Sequence, residues 1–238
     1  AALAQCFVRL GPRLWLLPGG SGIAQLADLE QQLRARMVEG LARVAGHVEL
    51  MVVDLGAGLG AGTLDIAAAS DRLLVVATPE PTSLADAYGF IKACTRRGRR
   101  ERMMAAISMS AAADDGASAA ARLVATAAKH LGAAVESVGE IPFDAAVQAA
   151  VRARVPLLTF ANRSPAARAI RALEGRLART SGEALASASQ PIWVAGGAHS
   201  HEGFIASLAR RLGVAWGGIA AAPRVELRPG LGPGAIAQ

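Results

Sequence analysis

The fold is decided by the stretch Glu49-Leu-Met-Val-Val-Asp54-Leu-Gly-Ala-Gly58-Leu-Gly60-Ala-Gly-Thr63. Its apolar run at 50–53 is rich in residues that favour strands, and it predicts a strand buried on both faces of a parallel sheet. An acid closes the run and glycines follow it. Because glycine lacks a Cβ, this segment can turn tightly and bring its backbone close to a ligand.

Asp54 and Gly58 are the candidate ligand-binding residues of this turn. A carboxylate at the end of a buried strand can hold the water shell of a hard cation such as Mg²⁺. The amide of Gly58, at the fourth position after the acid, can point at a terminal phosphate. The spacing therefore indicates a Mg-nucleotide site, and a glycine-rich turn that binds no ligand is the structural alternative.

A dinucleotide fingerprint is a second alternative, because Gly56-x-Gly58-x-x-Ala61 fits the pattern G-x-G-x-x-[GA]. That motif opens a helix and is followed by an acid at the end of the next strand. The next predicted strand ends at Ala77-Thr78 and has no acid there. The sequence therefore disfavours a dinucleotide site.

Composition favours an α/β protein with anionic partners. The 238 residues are 53% hydrophobic, and the formal net charge is +6. No apolar run is long enough to predict a transmembrane helix. Cys6 and Cys94 lie far apart, which favours free thiols in a reducing cytosol. The positive balance would favour nucleotide, acidic lipid or nucleic acid, but a compositional bias toward Ala, Arg and Gly would explain most of the charge. Nucleic acid is not expected among the partners.

Predicted strands and helices alternate along most of the chain. Strands are expected at 14–17, 50–53, 72–77, 103–107 and 134–138. Helices are expected at 24–44, 63–69, about 82–97, 114–131, 145–154 and 164–179. This order predicts an α/β fold with a doubly wound, mostly parallel sheet and helices on both faces. Ligands of such sheets bind at the carboxyl ends of the strands.

Several residues are expected to cap these helices. Thr82 or Ser83 would cap the third helix, Asp144 the helix at 145–154, and Ser164 the last one. The basic run at 96–102 is expected to be a solvated helix end, with binding of anionic lipid or nucleic acid as the alternative.

Four segments resemble the MinD/ParA group of P-loop ATPases over residues 1–180, and within it the flagellar-number regulators of the FlhG (FleN) type. They are Leu17-Pro-Gly-Gly-Ser-Gly22, Val53-Asp-Leu-Gly-Ala-Gly58, Pro79-Glu-Pro-Thr-Ser-Leu-Ala-Asp-Ala-Tyr88, and Ile141-Pro-Phe-Asp144 with Val147. The third segment is the most specific, because it separates the flagellar type from division-site MinD. Residues 181–238 do not resemble the family and are expected to form a separate tail.

The resemblance implies roles at the phosphate side of a nucleotide site. Asp54 would hold the water shell of Mg²⁺ and act in hydrolysis, and Gly58 would sense the terminal phosphate of ATP. Pro79 and Glu80 would lie at the nucleotide edge and the dimer face. In the family, ATP drives formation of a homodimer that binds the inner membrane surface, and hydrolysis releases it.

The resemblance places Pro142 and Asp144 near the base, and two departures from the family follow. Ser108 stands where the family usually has a base-reading Asn, and a single hydroxyl cannot make the bidentate contact of an amide. The phosphate loop Gly-Lys-[ST] is also missing, because neither Lys92 nor Lys129 follows a glycine. We expect a family member truncated at its N-terminus, with a degenerate relative as the alternative, and no ATPase activity in the chain as given.

The resemblance further implies a cytoplasmic protein, peripheral at the cytoplasmic face of the plasma membrane, that controls flagellar number and placement. The implied partners are a signal-recognition-type flagellar GTPase and flagellar switch-ring proteins. Two alternatives are a ParA-like or division-site ATPase, and a non-catalytic pseudo-ATPase scaffold.

The tail contains one amphipathic segment. An apolar helical face with two adjacent arginines is formed by Phe204, Ile205, Leu208, Leu212, Arg210 and Arg211. This pattern predicts a helix on a membrane surface, and packing against its own domain is the alternative. The Gly/Pro-rich segment from 225 to the end is expected to be disordered.

Overall fold

The computed structural model describes residues 6–18, 31–45, 48, 50–55, 58–100, 103–112, 114–179 and 210–211. They fall into two compact units. Residues before Ser70, with Arg210 and Arg211, belong to the first unit, and residues from Ser70 to Arg179 belong to the second. None of the helices in these ranges is long and apolar enough to cross a membrane.

The first unit opens with a β-hairpin. Strand β1 (Val8–Gly11) pairs antiparallel with β2 (Leu14–Leu16). The strand predicted at 14–17 is therefore confirmed. Its antiparallel partner β1 was not predicted.

Two helices follow in the first unit. Helix α1 (Gln31–Ala45) confirms the described part of the helix predicted at 24–44, and α2 (Ala61–Ala69) confirms the one at 63–69. Each helix has a buried apolar face, which includes Val38 and Leu64. The turn that contains Gly58 leads into α2.

The predicted strand at 50–53 is wrong. Residues 50–55 form no ladder with any described strand, and Val52 and Val53 are 79% and 41% exposed. A strand of a parallel sheet needs at least one neighbouring strand to pair with its backbone donors and acceptors. The apolar run alone cannot supply such a neighbour, which is why local composition was misleading here.

The second unit is built on a parallel three-stranded sheet. The strands are β3 (Leu73–Ala77), β4 (Met103–Ser110) and β5 (Val135–Pro142), in the order β3-β4-β5. Leu73 pairs with Met103, which in turn pairs with Val135. The α/β class and the parallel sheet predicted from sequence are confirmed.

Helices α3 (Pro81–Arg96) and α4 (Asp115–Leu131) form the crossovers between these strands and pack against each other. Both crossovers step in the same direction across the sheet, so right-handed connections place both helices on one face. Strand β4 lies between its two neighbours, and its residues from Met103 to Ile107 are all buried. A strand covered on both faces reads as a continuous apolar run, as predicted.

Helix α7 (Pro165–Arg179) packs against β5 and covers the opposite face of the sheet. Its Leu173 and Leu177 contact the cluster formed by Met104, Ala106 and Val138. Helices therefore flank the sheet on both faces. The short helices α5 (Ala145–Ala153) and α6 (Leu157–Phe160) connect β5 to α7, and α6 was not predicted.

Arginines of the second unit bind main-chain carbonyls. The guanidinium of Arg100 donates to the carbonyl of Leu131 at 2.9 Å, and that of Arg176 donates to Val138 at 3.0 Å. Arg99 is buried and donates to the carbonyl of Ser70. The basic run at 96–102 is therefore not simply a solvated helix end, because two of its members satisfy carbonyls elsewhere in the fold.

Candidate functional site

The first unit holds Asp54 and Gly58 in the turn before α2. The Asp54 side chain is exposed and forms no hydrogen bond or ion pair within the described residues. Gly58 has a φ of +119°, and a Cβ there would meet nothing within 4 Å. A side chain would strain this backbone, and Gly58 is exposed. Helix α2 then begins with the amide of Leu64 donating to the carbonyl of Gly60 at 3.0 Å.

These two residues suit part of a Mg-nucleotide site. A free carboxylate can hold the water shell of Mg²⁺, and the backbone of an exposed glycine can approach a phosphate oxygen. The chain supplies no lysine after a glycine to neutralise the phosphates. The residues present therefore fit the metal side of the site and not the phosphate cradle.

The carboxyl end of β3 forms a tight turn into α3. The amide of Thr78 donates to the Oγ of Ser83 at 2.9 Å, and the Thr78 hydroxyl donates to Glu80 Oε2 at 3.1 Å. Glu80 occupies the N-cap position of α3 with no side-chain cap, and Pro81 follows it. The predicted cap at Thr82 or Ser83 is therefore wrong, because Ser83 fixes the strand end instead.

The carboxyl end of β4 contains a β-bulge. The pairing with β5 shifts between Ser108 and Ser110, and Met109 has a φ of 63° and is 54% exposed. A positive φ is uncommon for a residue with a long side chain. Bulges of this kind re-aim neighbouring side chains next to sites. The strand prediction ended at Ile107 and gave no sign of the bulge.

Two buried oxygens lie close to Gly116. Ser110 Oγ and Glu140 Oε2 are buried and have no hydrogen-bond partner among the described residues. Both lie against the α-carbon of Gly116 in the first turn of α4, where a Cβ would overlap them. The packing of α4 on this end of the sheet therefore requires glycine at position 116.

Asp144 joins the N-termini of two helices. Its Oδ1 accepts from the amide of Ala146 at 2.9 Å, and its Oδ2 accepts from the amide of Ala166 at 3.0 Å. Hydrogen bonds from Ala166, Ala146 and the Ser164 side chain, and the nearby charge of Arg168, hold the pKa of Asp144 below its ordinary value of 3.8. The predicted cap of α5 is confirmed. Ser164 also caps α7 as predicted, since its Oγ accepts from the amide of Ala167 at 3.2 Å.

The second unit brings the base-side candidates to one edge of its sheet. Ser108 pairs with Ile141 and Ser110 with Pro142. The amide of Phe143 donates to the carbonyl of Ser110 at 2.9 Å, which ties the β5–α5 turn to the end of β4. Parallel strands present their carboxyl ends together, so Pro79 and Glu80 after β3 lie at this same edge. Asp54 and Gly58 belong to the first unit.

The predicted tail helix lies largely outside the described residues. Arg210 and Arg211 are helical, with Arg210 exposed. The apolar positions Phe204, Ile205, Leu208 and Leu212 lie outside the described residues. The amphipathic face therefore stays a prediction.

No protein-family model matches the chain. Among curated proteins, the antiactivator FleN of Pseudomonas aeruginosa is 28% identical over 165 residues, which is 69% of this chain. The flagellum site-determining protein YlxH of Helicobacter pylori is 35% identical over 92 residues, 39% of this chain. An uncharacterized ATP-binding protein, MJ0547, of Methanocaldococcus jannaschii is 29% identical over 153 residues, 63% of this chain.

The similarity is to MinD/ParA-type P-loop ATPases of the flagellar type. The distant resemblance predicted from the four segments is therefore confirmed. The aligned regions cover 59%, 31% and 55% of the three relatives' lengths, so the chain spans less than two thirds of each. The name of YlxH states flagellum site determination, that of FleN an antiactivator, and that of MJ0547 ATP binding.

Proposed function

We propose that the chain carries the sheet region of an ATP-dependent dimerising switch that controls flagellar number and placement at the membrane. The observation that carries this proposal is the similarity to FleN over 69% of the chain. The parallel sheet supports it, since Ser108, Pro142 and the β3–α3 turn lie at the edge where ligands of such sheets bind.

In this proposal, different residues contact the metal, the phosphates and the base. Asp54 holds the water shell of Mg²⁺, and Gly58 lets the backbone approach the terminal phosphate of ATP. Pro79 and Glu80 border the nucleotide and the face of a homodimer. Ser108 contacts the base through one hydroxyl, which is weaker recognition than an amide would give.

We do not assign Asp144 a contact with the base. Both of its oxygens already accept hydrogen bonds from main-chain amides. In this proposal it therefore fixes the turn after Pro142 rather than binding the base directly. The Thr78–Glu80 hydrogen bond similarly orders the β3–α3 turn. The proposed partners are a signal-recognition-type flagellar GTPase and switch-ring proteins, and the tail helix would bind the inner membrane surface.

The first experiment tests nucleotide chemistry. Isothermal titration of the 238-residue chain with Mg-ATP should give no sub-micromolar binding, because the sequence contains no phosphate loop. Fusion of a phosphate-loop unit from FleN before Ala1 should restore binding and turnover, and Asp54→Ala in the fusion should abolish turnover. Asp86→Ala is the control, since that exposed side chain lies on α3. Tight binding by the unfused chain, or unchanged turnover of the Asp54 variant, would contradict the assigned roles.

The second experiment separates the flagellar role from its alternatives. Disruption of the gene in its own host should change the number or position of flagella, counted by electron microscopy, and leave cell length unchanged. Minicells would favour a division-site ATPase. A flagellar defect rescued equally by the parent and the Asp54→Ala gene would favour a non-catalytic scaffold.

A further inference from the structure

The α5–α6 region presents apolar side chains to solvent. Val151 in the last turn of α5 is 71% exposed, and Leu158 and Phe160 of α6 are 40% and 46% exposed. Helices α5 and α6 contact each other, so these exposed side chains lie on neighbouring elements. Val147 lies one turn before Val151 on α5 and is 37% exposed, which extends this surface along the helix.

Two arginines at the end of α5 have no partner among the residues that the structure describes. Arg152 and Arg154 are exposed and form no hydrogen bond or ion pair within the described residues. This distinguishes them from Arg100 and Arg176, whose guanidinium groups bind carbonyls of the fold. No Asp or Glu occurs between Asp144 and Glu174, so the region carries no internal acid to neutralise them. Their charge is available to a partner.

We propose that this surface, the α5–α6 patch of Val147, Val151, Arg152, Arg154, Leu158 and Phe160, binds anionic phospholipid bilayers. Exposed apolar side chains together with exposed arginines match the interfacial layer of such a bilayer, where apolar groups enter the acyl boundary and cations meet phosphates. Nucleic acid would use the arginines but leave Val151 and Phe160 in water. The contact is independent of nucleotide chemistry and of the tail helix.

Hydrogen bonds within the second unit order the backbone of the α5–α6 patch. Asp144 caps both α5 and α7, and the amide of Val155 donates to the carbonyl of Ala150 at 3.1 Å at the end of α5. Arg154 adopts a φ of 54° at this C-cap. The turn into α6 is therefore ordered before any lipid is bound, and little conformational entropy is lost on binding.

The test uses the full chain and vesicle flotation. Binding should be measurable on phosphatidylcholine vesicles that contain phosphatidylglycerol and much weaker on phosphatidylcholine alone. The double substitution Arg152→Gln/Arg154→Gln should weaken binding about 25-fold, from about fivefold for each arginine near an anionic surface. Arg36→Gln/Arg43→Gln is the matched control, because it removes the same charge from exposed positions of α1 and should change binding little.

A second readout reports insertion. Val151→Cys, in a Cys6→Ser background and labelled with an environment-sensitive fluorophore, should show a blue shift only with anionic vesicles. Val151→Ser/Phe160→Ser should weaken vesicle binding and leave the melting temperature unchanged, since both side chains are exposed.

A variant with an altered tail helix distinguishes lipid binding by the α5–α6 patch from lipid binding by the tail. The Arg152/Arg154 effect should persist when Leu208→Glu is also present. Loss of the effect in that background would assign membrane binding to the tail alone. Equal loss of vesicle binding in the Arg152/Arg154 and Arg36/Arg43 variants would show that only net charge matters. Tight binding of duplex DNA that depends on Arg152 and Arg154 but not on Phe160 would assign the surface to nucleic acid. Each of these results would overturn the proposal.

Discussion

The Asp144 carboxylate accepts a hydrogen bond from the amide of Ala166, 22 positions further along the chain. Its other oxygen accepts from Ala146, so one side chain caps the helices on both sides of α6. Each amide would otherwise be one of the unpaired donors of a helix N-terminus. The turn after β5 and the start of α7 are therefore fixed by a single residue.

Replacement of Asp144 tests this double cap. Asp144→Ala should lower the melting temperature by about 4–8 °C, because two helix N-termini lose their acceptor together. Asp144→Asn keeps one acceptor oxygen and should lie between the variant and the parent. Asp86→Ala is the control, since Asp86 is an exposed α3 residue, and calorimetry makes the comparison. Equal melting temperatures for the Asp144 and Asp86 variants would show that the cap contributes nothing.

The lowered pKa of Asp144 predicts a pH dependence of stability. Its folded pKa lies below the ordinary value of 3.8, so its stabilisation is complete above that value and is lost as pH falls through the folded pKa. The difference in urea midpoint between the parent and Asp144→Asn should be constant from neutral pH to about pH 5 and shrink below the ordinary pKa. A difference that grows on acidification would contradict the sign.

Two glycines on neighbouring helices predict opposite responses to the same substitution. Gly116→Ala should destabilise the fold by about 1–3 kcal/mol, because the new Cβ overlaps Ser110 Oγ and Glu140. Gly89→Ala on α3 is the matched control. Nothing lies within 4 Å of its Cβ position, so it should stabilise by about 0.5–1 kcal/mol through helix propensity. Denaturant titration measures the change in the free energy of unfolding for both variants. A change of the same sign in both would contradict the packing at Gly116.

The tail helix is tested with a peptide that covers residues 200–216. It should gain helicity on anionic vesicles and much less on neutral ones, since Arg210 and Arg211 contribute about 1 kcal/mol each near an anionic surface. Salt should weaken the binding. Leu208→Glu should abolish it by placing a charge on the apolar face, whereas Ala206→Glu, on the opposite face, should be tolerated. Circular dichroism measures both, and undiminished binding of the Leu208 variant would mean that this face does not meet lipid.

The sequence was informative wherever an element's own residues determine it. The strand at Met103 reads as apolar because neighbours cover both of its faces, and α7 shows its cap at Ser164 directly. It failed where the outcome depends on distant partners. The run at 50–53 has strand composition but no ladder, and Ser83 accepts from Thr78 instead of capping α3.

The candidate site divides in the same way. Asp54 and Gly58 were proposed from residue type and spacing, which are local properties, and their role in nucleotide binding stays a prediction. The bulge at Met109 and the close approach of Ser110 and Glu140 to Gly116 were missed, since they arise from strand register and helix packing. No pattern of neighbouring residues encodes either one.

The packing of Arg176 against Gly139 limits which residues can be substituted at these two positions during evolution. Gly139 has a φ of +133° in β5, and a Cβ there would lie 2.5 Å from Arg176 Nη1, which donates to the carbonyl oxygen of Val138. A side chain at position 139 would displace that arginine, and so loosen α7 from the sheet. Relatives that lost the glycine should therefore also have exchanged the arginine, so these two positions, 37 apart in the chain, would have to change as a pair during evolution.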